Sequence, residues 1–122
     1  MVADVVSFTC LKALAYDQRG ENKDAYDLIY CLEFANATLD ETVDRFKHAL
    51  GGKHRDVIGL ALNILRARFA TEGKTEGYLK DGPVAVAVFE LGDNRSPDVR
   101  ERRVLRQRDV SGLIERFLAA IL

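Results

Sequence analysis

Between residues 3 and 19 nearly every side chain is apolar or small, and Val5, Val6, Phe8, Leu11, Leu14 and Ala15 recur at steps of three and four. That period predicts an α-helix, with Gly20 as the stop, because glycine takes up the left-handed conformation that closes helices. The apolar positions run around most of the circumference, so this first helix should be buried between other elements, with something covering both of its sides. A second helix is predicted over 22–34, opening on Asn22 as N-cap and burying Ala25, Leu28, Ile29 and Leu32. Asn36 and Thr38 mark the turn after it.

A third helix is predicted over 40–50, where Asp40 and Glu41 complement the positive end of the helix dipole and Gly51-Gly52 ends the run. A fourth follows over 55–70, with Val57, Ile58, Ala61, Leu62, Leu65 and Phe69 in one broad apolar stripe. Residues 71–82 hold three glycines among charges and read as a loop. The run 84–89 is ambiguous: its valines suit a strand, whereas Pro83 at a first-turn position suits a short helix. A lone strand would have no partner, which favours the helix. Ser96, Pro97 and Asp98 are a helix start, with a capping hydroxyl, a proline at the first position and an acid in the first turn. The last helix runs from there towards Leu122, its second half carrying Val110, Leu113, Ile114, Phe117, Leu118 and Ile121 at helical spacing, with a bend allowed at Ser111-Gly112. The expected fold is an all-α domain of five or six helices in an orthogonal or bundle-like arrangement, with a short extended segment near 84–89 as the alternative there.

At 122 residues the chain is the size of one domain, and such a chain buries roughly two-thirds of the surface its unfolded form exposes. With 48% hydrophobic and 30% charged residues it is an ordinary globular composition, outside the disordered and fibrous classes. The net charge of -1 points to no nucleic-acid partner, although the surplus of acids lies in residues 1–50 and the surplus of bases beyond them. Cys10 and Cys31 show neither a disulfide framework nor zinc-ligand spacing and read as two buried thiols. Asp4 interrupts the apolar start, no basic segment precedes it and no run reaches the ~18 apolar residues of a membrane span. The expectation is a cytoplasmic protein.

Lys12 lies in the middle of the first helix, where an ammonium without a partner would be costly to bury. At helical spacing Thr9, Lys12, Tyr16 and Arg19 form one narrow polar edge. A snorkelling lysine on a solvated edge explains this pattern without any function. The second helix opens Lys23-Asp24-Ala25-Tyr26-Asp27-Leu28, which sets two carboxylates three residues apart near its start. Acids in a first turn and an i,i+4 pair of Lys23 with Asp27 are ordinary helix chemistry. Less ordinary is the concentration of Arg19, Lys23, Asp24 and Asp27 at the junction of two apolar helices.

Taken together, Leu11-Lys12-Ala13-Leu14-Ala15, then Arg19-Gly20, then Lys23-Asp24-Ala25-Tyr26-Asp27-Leu28 resemble the closing motifs of nucleotidyltransferase-like proteins of the abortive-infection toxin type. The resemblance covers roughly residues 8–34, and the helical remainder in outline. It implies that the chain is the C-terminal helical part of such a protein, within a toxin-antitoxin system. It further implies a catalytic role for Lys12, Asp24 and Asp27, and nucleotide binding by Lys12, Arg19 and Lys23, with Lys12 against phosphate. Phosphoryl transfer is catalysed mainly by positioning and charge neutralisation, tasks for a lysine and fixed carboxylates. The complete family fold implies Mg2+ and a nucleoside triphosphate. Such enzymes hold magnesium with a D-x-[DE] pair after a Gly-Ser loop, and here no two acids are separated by one residue, while Gly51-Gly52 follows a helix. The expectation is therefore a chain that does not catalyse alone.

Two further groups carry weaker signals. His48, His54 and Asp56 flank a glycine turn but match no standard metal-ligand spacing. Arg95, Arg100, Arg102, Arg103, Arg106 and Arg108 form an arginine-rich run, but 100° steps scatter them around the last helix among Asp98, Glu101 and Asp109, as on a solvated face. The partners expected are an N-terminal nucleotidyltransferase domain, an antitoxin or a second copy of the chain, with nucleic acid as the alternative that the arginine-rich run would serve. The alternative function is a stand-alone helical protein-interaction or dimerisation module that shields its apolar first helix.

Overall fold

The computed structural model describes residues 4–34 and 38–121, and it is all-helical. In chain order the helices are α1 (Val5–Arg19), α2 (Asn22–Phe34), α3 (Leu39–Leu50), α4 (Arg55–Phe69), α5 (Asp81–Leu91) and α6 (Pro97–Ile121). A single 3-10 turn occupies Gly77–Leu79, and among the described residues the only β-type pairing is an isolated bridge between Glu72 and Thr75. The predicted helix limits at Ala3 and Leu122 and the turn residue Asn36 lie outside the described residues.

Local chemistry sets the ends. The Asp4 carboxylate accepts from the Ser7 amide at 2.9 Å and starts α1. Gly20, at φ 67°, ends it, and its N–H donates to the Tyr16 carbonyl at 2.8 Å. Asn22 is the first residue of α2 and not its cap, because the Asp24 N–H already closes a turn on the Glu21 carbonyl at 3.0 Å. The Thr38 hydroxyl accepts from the Glu41 amide at 3.2 Å and starts α3 one residue before the predicted Asp40. α4 stops at Phe69, since Ala70 is already extended.

The predicted loop over 71–82 is partly wrong: it contains the 3-10 turn, and α5 begins at Asp81. The reason is tertiary. Gly82 sits where a Cβ would lie 2.6 Å from the Arg68 carbonyl oxygen and 2.7 Å from the Phe69 ring, so only glycine lets the start of α5 press onto the end of α4. Between 84 and 89 the chain is helical, and Pro83 is the third residue of α5. No sheet edge is available among the described residues to pair its valines; Ala85, Val86 and Ala87 are instead buried against neighbouring helices.

α1 packs against α2 and α4, α5 against α2 and α6, and α6 backs α3, α4 and α5. Phe46 and Phe117 meet edge to face at 4.9 Å between ring centres, and both are fully buried. Each such side chain contributes about 1.5–3 kcal/mol of burial. All six apolar positions expected to be buried in α6, Val110 to Ile121, are buried.

Two expectations about α1 need correction. Its polar edge is not uniformly solvated: Arg19 is exposed, but Thr9 is buried where the Gly20 turn folds α2 back, and Tyr16 is buried against α4 and α5. The Thr9 hydroxyl lies 3.9 Å from the Cys31 sulfur, and the Tyr16 hydroxyl donates to Asp81 at 2.7 Å. The apolar positions of α1 are themselves only partly covered. Val5, Cys10 and Ala13 are buried, whereas Leu11 is 63% exposed and Leu14 half-buried.

Candidate functional site

The turn at Gly20 brings the last two turns of α1 beside the first turn of α2, so that Lys12, Arg19, Lys23, Asp24 and Asp27 converge. The Lys12 ammonium lies 3.0 Å from Asp27 Oδ2 and 3.5 Å from Asp24 Oδ1. One Arg19 guanidinium nitrogen donates to both oxygens of Asp24, at 2.9 and 2.8 Å. Lys23 closes the ring on Asp27 at 2.9 Å. Asp24 is the buried member, its side chain 4% exposed.

Electrostatics follow from these contacts. The hydrogen bond to Asp27 raises the Lys12 pKa above that of a free lysine, against the opposing pull of partial burial. Burial works against ionising Asp27, but hydrogen bonds from Lys23 and Lys12 outweigh it and hold the carboxyl below its usual range. Two carboxylates are thus surrounded by three cations. Such a set does not fit a magnesium ion, which needs carboxylate charge that is not already neutralised. The ammonium of Lys12 is occupied on the same grounds, and the cluster joins α1 to α2.

A second charged cluster lies at the same C-terminal end of α1, on the side facing α4 and α5. Arg68 bridges Asp17 at 3.0 Å and Asp81 at 3.1 Å, and burial together with the bond to Asp81 pushes the Tyr16 phenol well above its ordinary value. In α6, Arg106 holds Glu33 and Glu90 at 2.7 and 2.8 Å and so staples α2, α5 and α6. Arg103 donates to the carbonyls of Gly92 and Asn94, and Arg108 lies over the Tyr78 ring. The arginines of the run therefore serve different neighbours.

Between α1, α3 and α4 lies an open groove of about 990 Å³. Val6, Cys10, Leu11 and Leu14 form the α1 wall, and Val57 and Ile58 line it from α4. Arg45, His48, Lys53 and His54 border it from α3 and the turn that follows. Val57, 49% exposed, stands at the rim, and Leu60, one turn further along α4 and 52% exposed, continues the apolar surface beyond the groove. Burial pushes the Cys10 thiol up to about 11, with the Asp4 charge adding to it, so this groove residue is an unreactive apolar lining. His48 and His54 share the groove border, and among the described residues no group of three or more His, Cys, Asp or Glu side chains could hold a metal ion.

Sequence reasoning missed the groove, although the surplus of apolar positions on α1 was its signal. It also missed an aromatic strip in which Tyr26 stacks on Phe89 at 4.6 Å and Tyr30 on Phe34 at 4.8 Å. No helix among the described residues is long and apolar enough to cross a membrane. No protein family, curated protein or solved structure matches the chain.

Proposed function

We propose that the chain is a helical protein-interaction module whose binding site is the groove between α1, α3 and α4. The observation that carries this reading is the concave surface itself, about 990 Å³ and lined mainly by apolar side chains, with Leu11 and Val57 exposed at its rim. Contiguous exposed apolar surface of this kind marks interaction sites in folded proteins. A library of helical peptides selected against the chain and counter-selected against a Leu11→Glu, Val57→Glu variant tests it. Both residues are largely exposed, so the variant should keep its fold, checked by circular dichroism. Enrichment of peptides with an apolar i, i+3, i+4, i+7 pattern that bind only the intact groove supports the proposal. Enriched peptides that bind both proteins equally, or no enrichment, would overturn it.

A second reading is favoured by one observation, the convergence of Lys12, Arg19, Lys23, Asp24 and Asp27. Under it the chain is the C-terminal helical part of a nucleotidyltransferase-like protein, and the cluster is a vestigial site that retains its geometry without magnesium ligands. The isolated chain then transfers no nucleotide from any nucleoside triphosphate with magnesium. Transfer that rises with protein concentration and disappears in Lys12→Ala would contradict the vestigial role and point to an active site.

A further inference from the structure

We infer that the occupant of the groove is an amphipathic helix carrying acidic residues along one flank, an inference that rests on the interaction reading above. Three observations identify it. First, an extended peptide would bring unpaired backbone groups into a site with no strand edge among the described residues, whereas a helix satisfies its own backbone and presents only side chains. Second, the α1 wall from Val6 to Leu14 spans ~12 Å at the α-helical rise, which matches about two turns of a partner helix and its i, i+3, i+4, i+7 stripe.

Third, the charge is segregated by wall. The larger apolar side chains come from α1 and α4, while α3 and the turn after it contribute Arg45, His48, Lys53 and His54, with Ala49 as their one apolar neighbour. Neither Arg45 nor Lys53 has a carboxylate within 4.0 Å among the described residues, unlike Lys12, Arg68 and Arg106, which are all paired. The acids on the border are Asp44, beside Arg45 on the same helix, and Asp4, whose carboxylate is taken up in starting α1. A helix lying with its apolar stripe on Leu11, Leu14 and Val57 therefore meets unpaired cations along one edge, and acids there gain complementary charge. A small ligand confined to the groove would leave the adjoining Leu60 open to water, whereas a helix lying along the groove is long enough to reach it.

Isothermal titration with two synthetic peptides tests the inference. Both carry the same leucine stripe, one with glutamates and the other with lysines along one flank. The glutamate peptide is expected to bind about tenfold more tightly, with the advantage shrinking as salt rises and reversing in an Arg45→Glu, Lys53→Glu variant. Equal binding of both peptides would overturn the acidic flank while leaving the groove as an interaction site. Binding of neither would overturn the inference together with the interaction reading. Light scattering at rising concentration covers the remaining occupant: a dimer of the chain that Leu11→Glu dissociates would assign the groove to a second copy and overturn the partner helix.

Discussion

Replacing Asp24 by asparagine removes the buried charge on which Arg19 and Lys12 both converge. The Asp24 side chain is 4% exposed, so its hydrogen bonds are charge-assisted bonds in a water-poor site, where each is worth ~1.5–3 kcal/mol. Arg19 is more than half exposed and regains water when released, while Lys12 keeps Asp27 at 3.0 Å, so the loss is partly compensated. The net cost is about 2 kcal/mol. At this chain length that corresponds to a fall in melting temperature of roughly 8 °C. Urea unfolding followed by far-UV circular dichroism should show a lower midpoint with an unchanged slope, the mark of lost stability in an unchanged fold. The loss should persist at high salt, since buried pairs are weakly screened. A cost under ~0.5 kcal/mol would refute the reasoning, because that is the value of a solvent-exposed pair.

Other outcomes follow from the same structure. Gly82→Ala forces a Cβ to within 2.6 Å of the Arg68 carbonyl and should destabilise the chain by about 2 kcal/mol in the same denaturation assay; full stability would show that α5 can lift off α4 at no cost. The Cys10 thiol ionises at about 11 in the folded chain, against 9.0 for a freely solvated thiol, so the stability it confers is present below pH 9 and is lost as pH rises towards 11. Its contribution to the alkaline loss is on the order of 3 kcal/mol, and a Cys10→Ala variant compared with the parent at each pH should lack that part of the slope. Arg106→Ala leaves Glu33 and Glu90 facing one another without their shared cation and should cost about 2 kcal/mol, partly restored by Glu90→Gln in the same chain.

Much of the fold was legible because its signals are local. The period of Val110 to Ile121, the Gly20 stop and the Thr38 turn each act within a few residues, and the helices follow them closely. The start of α5 was not legible, since Gly82 is required by the approach of a helix that lies earlier in the chain. The sequence motif grouped Lys12 with Asp24 and Asp27 correctly, because one tight turn separates their helices. It misassigned Thr9 and Tyr16 to a solvated edge, since periodicity tells which residues share a face but not whether that face looks outward. The groove was hidden for a related reason: it arises where α1, α3 and α4 diverge, and no single helix encodes that divergence.

The claim that the groove is an interaction site is tested most directly by mapping amide shifts of the isotope-labelled chain while the glutamate-flanked peptide is titrated in. The shifts expected to move are those around Leu11 and Leu14 in α1, Arg45 and His48 in α3, and Val57 in α4, saturating together with one affinity. Shifts concentrated instead around Asp24 and Asp27, or on the Tyr30 and Phe34 strip, with the groove amides unmoved, would contradict it.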